Sequence, residues 1–442
     1  MRLRLFFILL LVSAFSFAQP GFQFESPRNR IAIPFKFINN LIFIPVIVNG
    51  EELTFLLDTG VEQTILFSLD EKEEVKLFEV EKLKLRGLGS KEPIDSYRSS
   101  RNKVEVGDFI DYQHEIYIIL DQEFNFSSQV GIEVNGIMGY NFFKNHIIEI
   151  DYEKKKIFAY NHENKKLKAR LQKKFTKDSI TIEENKPYCV SNIVSEGKMI
   201  ASKLLIDSGN SDALWIFVNK TDKIKLPKNI IPDYLGRGFS GSVFGKRGRV
   251  ASFEFGRKTF DAPLVTFPDS ASVKSVKFVP NRVGSIGSEV LSRFTVVFDY
   301  QDKLIYTKPN DHINDPFHFN MSGIEVEHAG LEWVQQSRDN HSGSGIKIYT
   351  DSKDEQIQNN LKVHFELKPI FRIASVREGS EAEKAGLKVG DRIIRINHQN
   401  AHGFTMQAIN ELLKSEEGKT IDMEVERNEK TFKYHFKLKK II

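Results

Sequence analysis

Short runs of apolar residues alternate with turn residues along the first two thirds of the chain. Residues 31–48 and 180–193 each contain alternating apolar positions, and the runs end in turns at Asn49-Gly50 and Glu196-Gly197. Runs rich in β-branched and aromatic residues and bounded by Gly, Asn and Asp are typical of β-strands. The pattern therefore predicts all-β structure with few helices in this part of the chain.

The same pattern occurs twice. Phe-Leu-Leu-Asp-Thr-Gly at residues 55–60 matches Leu-Leu-Ile-Asp-Ser-Gly at residues 204–209, with an offset of 207 − 58 = 149 residues. Glycine-containing landmarks follow at nearly the same offset, at 87–90 and 236–239 and at 136–139 and 284–287. Such registered self-similarity indicates a duplicated domain. We predict two related β lobes, residues 19–164 and 165–310, with a cleft between them.

Each copy places an aspartate, Asp58 or Asp207, directly after three large apolar residues. If both strands deliver their Asp to the floor of one cleft, the two carboxyl groups share one proton, because adjacent like charges repel. The ionised one would take a proton from a water molecule that attacks a peptide carbonyl. The protonated one would stabilise the developing oxyanion. The sequence leaves open which Asp plays which part.

The residues that follow each Asp complete the motif. Thr59 and Ser208 offer hydroxyl groups to a buried carboxylate, and Gly60 and Gly209 permit a tight turn. One Asp-Thr-Gly alone is a weak motif. Two copies with matching downstream glycines are far more specific, and they predict hydrolysis of peptide bonds without a metal or another cofactor.

On these motifs, residues 28–310 resemble aspartic peptidases of the retropepsin and pepsin class. The resemblance implies a bilobal all-β fold with Asp58 and Asp207 as the catalytic pair. It also implies mobile hairpins, called flaps, 29 residues after each Asp (87 − 58 and 236 − 207). The glycine-rich pair is more similar to the two flaps of retropepsins, here fused into one chain. The flap candidates are Gly87, Gly89, Gly236 and Gly238.

Beyond residue 310 the pattern changes, and residues 311–365 are predicted to be a linker with strands that lead into another domain. Residues 371–397 contain Phe-Arg-Ile-Ala-Ser-Val, then Gly-Ser-Glu-Ala-Glu-Lys-Ala-Gly-Leu, then Val-Gly-Asp-Arg-Ile-Ile-Arg-Ile-Asn. They resemble bacterial PDZ domains, which implies a PDZ-like α+β domain at residues 366–442. Such domains bind an extended peptide beside a strand and a helix. The residues implied to line that groove are Phe371, Ile373 and Met406.

Residues 1–18 have the features of a secretory signal peptide. Arg2 and Arg4 precede an apolar run, and Ser16-Phe17-Ala18 form a cleavage site with small residues. We therefore expect an exported protein, periplasmic or secreted, without a transmembrane segment once the leader is removed. An uncleaved N-terminal anchor is the alternative.

Charge and composition limit the choice of partners. The net charge is only +4 and the basic residues are scattered, which argues against a nucleic-acid partner. We expect a peptide or protein substrate in the cleft and a peptide or protein partner on the PDZ-like domain. A monomer is expected, although each lobe could instead pair with a second chain. The alternative function is that of an inactive pseudo-peptidase that binds peptides without cutting them.

Overall fold

The computed structural model describes residues 21–25, 30–67, 75–85, 94–119, 126–238, 241–274, 277–337, 346–347 and 363–442. The predicted leader and the flap candidates Gly87 and Gly89 lie outside these ranges. Within the described ranges, no helix has both the length and the apolar character needed to cross a bilayer.

The first lobe is a twisted set of strands with short helices. Its described strands are β1 (Gln23–Phe24), β2 (Arg30–Pro34), β3 (Lys36–Ile38), β4 (Leu41–Val48), β5 (Glu51–Leu57), β6 (Thr64–Leu66), β7 (Glu81–Leu85), β8 (Ile94–Val106), β9 (Phe109–Ile119), β10 (Gly136–Met138), β11 (His146–Asp151) and β12 (Lys156–Asn161). Its described helices are α1 (Phe126–Val130) and α2 (Tyr140–Phe143), and α3 (Lys165–Lys174) leads to the second lobe. The main sheet has the order β1-β9-β6-β10-β5-β4-β8-β7, with β3 on β4.

The second lobe has a related sheet. Its described strands are β13 (Thr176–Ser179), β14 (Thr181–Glu183), β15 (Lys186–Ser195), β16 (Lys198–Ile206), β17 (Leu214–Ile216), β18 (Ile230–Gly238), β19 (Gly241–Arg249), β20 (Ser252–Phe255), β21 (Lys258–Asp261), β22 (Leu264–Pro268), β23 (Arg282–Ile286), β24 (Phe294–Asp299) and β25 (Leu304–Pro309). A 3₁₀ turn covers Val218–Lys220, and helix α4 covers Ser288–Leu291. The sheet order is β18-β19-β22-β17-β23-β16-β15-β20-β21, with β14 on β15.

The two sheets share the arrangement that the sequence repeat predicts. The order β6-β10-β5-β4 in the first lobe corresponds to β17-β23-β16-β15 in the second. In each case the strand before the Asp pairs in parallel with a strand from much later in the lobe, β5 with β10 and β16 with β23. The prediction of all-β lobes is confirmed.

The hairpins that lead into the two Asp motifs have the same turn. β4 and β5 are joined by Asn49 and Gly50, with φ of 52° and 104°, and β15 and β16 by Glu196 and Gly197, with φ of 51° and 74°. Two-residue hairpin turns favour left-handed backbone at both positions because this twist matches that of the strands. The turn signals seen in the sequence therefore fix the register of both motif strands.

A third sheet joins the lobes. It has the order β13-β25-β24-β11-β12-β2, so strands from both lobes form one continuous ladder. Its centre is the antiparallel pair β11 and β24, in which Ile148 faces Phe298 and Ile150 faces Val296. These four side chains are buried, and their core holds the lobes in a fixed relation below the cleft.

The C-terminal domain is a separate sheet with short helices. Its described elements are β26 (Ile324–Ser337), β27 (Ile346–Lys347), β28 (Val363–Val376), α5 (Glu381–Ala385), β29 (Arg392–Ile396), β30 (Gln399–Asn400), a 3₁₀ turn (Ala401–Gly403), α6 (Met406–Leu413), β31 (Thr420–Arg427) and β32 (Lys430–Lys437). The sheet order is β26-β28-β29-β31-β32. Strand β26, within the predicted linker, thus forms the edge of this sheet. The α+β character expected for this domain is confirmed.

The C-terminal domain contacts both lobes. Asn410 Nδ2 donates a hydrogen bond to Asn39 Oδ1 of the first lobe at 3.2 Å. Arg377 Nη1 lies 3.5 Å from Asp233 Oδ1 of the second lobe, and both side chains are largely buried. These polar contacts show that the C-terminal domain packs against both lobes.

Candidate active site

The two Asp motifs lie at corresponding positions of the two lobes. The backbone N–H of Asp58 donates to Met138 O at 2.9 Å, and that of Asp207 donates to Ile286 O, also at 2.9 Å. Each bond continues the parallel pairing of the motif strand with its crossing strand. Both carboxyl groups consequently line a single cavity of about 270 Å³. The structure brings the predicted pair together.

Reciprocal hydrogen bonds tie the two motifs to each other. Thr59 Oγ1 donates to Ile206 O at 2.7 Å and accepts from Ser208 N at 3.0 Å. Ser208 Oγ donates to Leu57 O at 2.9 Å and accepts from Thr59 N at 3.0 Å. Thr59 and Ser208 are 1% and 0% exposed, so each bond is shielded from water. The hydroxyl groups therefore join the lobes beneath the carboxyl groups, whereas the sequence suggested that they bind the carboxylates.

The glycines of the motifs leave room for the carboxyl groups. A Cβ atom on Gly209 would lie 2.2 Å from Asp58 Cγ, and one on Gly60 would lie 2.7 Å from Asp207 Oδ1. The backbone N–H of Gly60 also donates to Asp58 Oδ1 at 2.6 Å. Each glycine is thus required by the close approach of the opposite lobe's carboxyl group, whereas its own backbone conformation is one that other residues can adopt.

The electrostatics of the pair favour one shared proton. Burial and repulsion by Asp207 raise the pKa of Asp58 to about 8, although the Gly60 N–H acts in the opposite direction. Burial also raises the pKa of Asp207, while the positive charge of Arg282 and a hydrogen bond from Asp58 lower it. The interaction between the two carboxyl groups raises the pKa of Asp58 and acts to lower that of Asp207, so the pair holds one proton between them. Two carboxyl groups in this state can serve as an acid and a base.

The walls of the cavity differ between the lobes. The first lobe contributes mainly apolar side chains, which are Leu41, Leu56, Val61, Phe126 and Ile137, together with the amide of Gln129. The second lobe adds Trp215 and Phe217 together with the polar groups of Asn210, Ser285 and Arg282. An apolar cavity with a few convergent polar groups is typical of a site that binds an organic ligand such as a peptide.

The β18–β19 hairpin lies over the cavity at the position predicted for a flap. Leu235 and Gly236 line the cavity, and Gly236 has a φ of 123° that favours glycine. Gly238 pairs with Gly241 near the end of the hairpin. The flap candidates of the second lobe therefore occupy a hairpin beside the carboxyl pair, whereas Gly87 and Gly89 lie outside the described residues.

Comparison with known families agrees with this geometry. A family model described as aspartyl protease matches residues 44–142. A family model described as PDZ domain matches residues 372–427. The chain carries an aspartyl protease domain and a PDZ domain.

The aspartyl protease match covers Asp58 and its motif but ends before Asp207, so the second half of the pair is recognised from the repeat and its geometry. Among solved structures, an aspartic proteinase from Irpex lacteus matches 65% of this chain and 99% of its own length. The sequence identity is 12% and the TM-score is 0.41. A search among curated proteins found no match.

The structure corrects the predicted peptide groove of the PDZ domain. Phe371 and Ile373 are 1% and 0% exposed, and their strand β28 pairs with β26 on one side and β29 on the other. A strand with both edges paired cannot accept a peptide. Met406 is also buried, and a Cβ atom added to Gly131 of the first lobe would lie 2.8 Å from Met406 Cβ. These three residues belong to the domain core and its contact with the protease domain.

The strand beside helix α6 is β26, at the edge of the sheet. Helix α1 of the protease domain lies next to the same strand. Three backbone N–H groups at or just before the start of β26 already have acceptors: Met321 N donates to Leu413 O, Ser322 N to Asn320 Oδ1 and Ile324 N to Ser322 Oγ. These three donors are not available to hold the carboxylate of a chain end.

A second arrangement of catalytic residue types is buried and therefore structural. His114 Nε2 lies 2.7 Å from Thr64 Oγ1, and His114 Nδ1 lies 2.8 Å from Asp111 Oδ2, in the order of a nucleophile, a base and an orienting acid. The three residues are 1%, 1% and 4% exposed. Because a nucleophile must reach its substrate, this trio stabilises the core of the first lobe.

One described group of residues has the geometry of a metal site. His162, Asp299 and Asp302 bring ligand atoms within 4.8 Å of one another. Lys168 Nζ, however, lies 2.9 Å from Asp302 Oδ2 and 3.4 Å from His162 Nε2. An ammonium group in this position supplies the positive charge that a cation would bring. The group is accordingly an ion-pair cluster behind the inter-lobe sheet.

Sequence reasoning missed Arg282 and Lys186, whose positive charges act on the carboxyl pair. The repeat held a signal for Arg282. The landmark glycines are offset by 284 − 136 = 148, and the same offset places Arg282 opposite the buried Val134 (282 − 148 = 134). The first copy has no charged residue at this position, so the cation beside the carboxyl pair is specific to the second lobe.

Proposed function

We propose that this protein is an aspartic endopeptidase that hydrolyses peptide bonds with Asp58 and Asp207. The observation that carries the proposal is the pair of adjacent, largely buried carboxyl groups that line one cavity, each delivered by one of two related lobes. The aspartyl protease match supports it independently, because it covers the first motif. The predicted leader supports an exported protein, in the periplasm or secreted.

The mechanism follows from the protonation of the pair. Asp207, as the ionised partner, accepts a proton from a water molecule while the water oxygen attacks the peptide carbonyl carbon. Asp58 gives its proton to the carbonyl oxygen, which avoids a free oxyanion. Asp207 then gives the proton it accepted to the amide nitrogen, Asp58 takes a proton from a hydroxyl of the tetrahedral intermediate, and the C–N bond breaks to release an acid and an amine. Atoms and charges balance without a metal or another cofactor.

The hydroxyl groups and glycines of the two motifs hold the carboxyl groups in place for this reaction. The bonds between Thr59 and Ser208 hold the two strands in register, and Gly60 and Gly209 allow the carboxyl groups to meet. Reacting groups must be held within a few tenths of an ångström for efficient catalysis. The β18–β19 hairpin would close over a bound peptide and exclude water.

A peptide-library digest tests the proposal. The parent protein is incubated with mixed peptides from acid to alkaline pH, and new termini are identified by mass spectrometry. We expect defined cleavage by the parent and its loss in Asp58→Asn and Asp207→Asn. Asp151→Asn serves as the matched control, because Asp151 is also a buried, strand-terminal acid but bonds Lys154 away from the cavity. A parent that binds peptides yet cleaves none at any pH would instead favour the pseudo-peptidase.

The PDZ domain is proposed to bind a peptide or protein partner. An extended peptide could pair with the outer edge of strand β26. In the structure, helix α1 of the protease domain lies next to this strand. Because the N–H groups of Met321, Ser322 and Ile324 already have acceptors, we expect an internal segment rather than a chain end. Peptide arrays with free and amidated termini, probed with Asp207→Asn protein, test this. A strict requirement for a free carboxylate would contradict it.

A further inference from the structure

Arg282 is a buried cation beside the carboxyl pair. It is the first residue of strand β23 and is 8% exposed. It lines the cavity that contains Asp58 and Asp207. Its Nε donates to Gly284 O at 3.1 Å, which fixes one edge of the guanidinium group. The group is therefore held in place before any substrate arrives.

Aromatic rings surround the guanidinium group. Its central carbon lies 5.3 Å from the ring centre of Phe217, 5.4 Å from that of Phe278 and 6.0 Å from that of Tyr188. Contacts of this kind orient an arginine but compensate a buried charge only in part. The planar group thus has a rigid, mainly aromatic setting.

The charge of Arg282 is not balanced by an ion pair of its own. Among the described residues, no carboxylate forms a salt bridge with it, and burial lowers the pKa of its guanidinium group. The Tyr188 side chain accepts a hydrogen bond from the guanidinium group and Asp207 attracts that group at longer range, but neither forms a direct ion pair with it. Burying an unpaired ion costs several kcal/mol unless a counter-charge is near. A substrate carboxylate entering this cavity would form the direct ion pair that Arg282 lacks.

The position of Arg282 makes the site asymmetric. By sequence offset the first-lobe counterpart is the buried Val134, and by strand pairing it is Asn135, whose buried amide accepts a hydrogen bond from Thr54 N; neither carries a charge. The first-lobe wall of the cavity carries apolar side chains, such as Leu41 and Ile137. A peptide across the cavity would consequently meet an apolar wall on one side and a cation on the other.

We propose that Arg282 selects peptides with an aspartate or glutamate side chain next to the scissile bond, on the side of the second lobe. This inference rests on the proposed peptidase function and adds its substrate class. The guanidinium group offers paired N–H donors that match a carboxylate, which a lysine cannot reproduce. The aromatic rings exclude water from the ion pair and thereby strengthen it.

Matched peptide pairs test the inference. A peptide cleaved in the library digest is made with Glu or with Gln at each position within three residues of the scissile bond. At one position, the parent should cleave the Glu peptide about 10- to 100-fold better, the range expected for a hydrogen bond to a charged group. Below about pH 4 the preference should fade, because the Glu side chain becomes protonated.

Variants separate recognition from other effects. Arg282→Gln should bring the Glu/Gln ratio close to one, while Arg282→Lys retains part of it. A change in the charge state of Asp207 would affect both peptides of a pair equally, so the ratio isolates substrate recognition. Arg249→Gln is the control, because Arg249 is a partly buried arginine of the same lobe that bonds Ala262 O and Phe317 O outside the cavity. It should leave the ratio unchanged.

Two failures are distinguishable. Cleavage by the parent without any acidic preference, or a ratio that survives in Arg282→Gln, would overturn the role of Arg282 and leave the peptidase intact. Absence of all cleavage would overturn the peptidase itself. In that case, the affinities of the parent for the same Glu and Gln peptides are measured by calorimetry. Tighter binding of the Glu peptide would support the role of Arg282, and equal affinities would overturn it.

Discussion

Replacing Thr59 by valine should destabilise the protease domain strongly while keeping its shape. The substitution removes the hydroxyl that donates to Ile206 O and accepts from Ser208 N. Both backbone groups would then be buried without this partner, and each such loss costs about 1–3 kcal/mol, or about 2–6 kcal/mol in total. That is a large part of the roughly 5–15 kcal/mol by which a domain is stable.

Thr307 provides a matched control. It is as deeply buried as Thr59, but its Oγ1 has no hydrogen-bond partner among the described residues. Thr307→Val loses no bond, and burial of a polar atom without a partner is itself unfavourable, so stability should stay equal or rise. The two variants make the same chemical change and differ only in the bonds that are lost.

Urea unfolding followed by tryptophan fluorescence measures the difference, because Trp215 lines the cavity close to the motifs. Adding Ser208→Ala to Thr59→Val should cost less than the sum of the single changes, by about 0.5–3 kcal/mol, since both residues belong to one network. Equal stabilities of Thr59→Val and Thr307→Val, or strictly additive losses, would refute the reciprocal network.

Three further predictions concern the glycines, the PDZ core and the carboxyl pair. Gly209→Ala should lower kcat/KM by at least about 100-fold, because its Cβ would lie 2.2 Å from Asp58 Cγ; Gly403→Ala, with open space around its Cβ, should not. Phe371→Ala should lower the free energy of unfolding, measured in urea, by about 3–5 kcal/mol, because Phe371 is a buried core ring. A loss below about 1 kcal/mol would instead support the predicted place of Phe371 in an open peptide groove. Asp58 holds a proton in the folded state up to about pH 8 but releases it near pH 4 when unfolded. The parent should therefore lose stability as the pH rises between these values. Asp58→Asn should show a smaller loss in thermal unfolding curves, and identical curves would contradict the raised pKa.

Much of the protease site could be predicted from the sequence because it is built locally. The apolar triplet, the Asp and the following glycine specify a strand end and a turn, and the repeat offset identifies the second copy. The left-handed turns at Asn49-Gly50 and Glu196-Gly197 were visible in the same way. Local patterns of this kind depend on backbone geometry alone.

Features that depend on long-range packing were missed or placed wrongly. The role of Thr59 as a link to Ser208 requires contact across 149 residues, which no local pattern shows. The groove assigned to Phe371 was wrong because β26, far upstream, covers the edge of its strand. The charge of Arg282 was visible, but its position beside Asp207 followed only from the parallel pairing of β16 and β23.

The shared proton of Asp58 and Asp207 is tested most directly by the pH dependence of kcat/KM on one cleaved peptide. We expect a bell-shaped profile that extends through neutral pH. Activity should fall on the alkaline side near pH 8, where Asp58 loses its proton, and on the acid side as Asp207 gains one. Activity that is constant from pH 7 to beyond about pH 9, above the raised pKa of Asp58, would contradict it. So would cleavage that survives in Asp58→Asn.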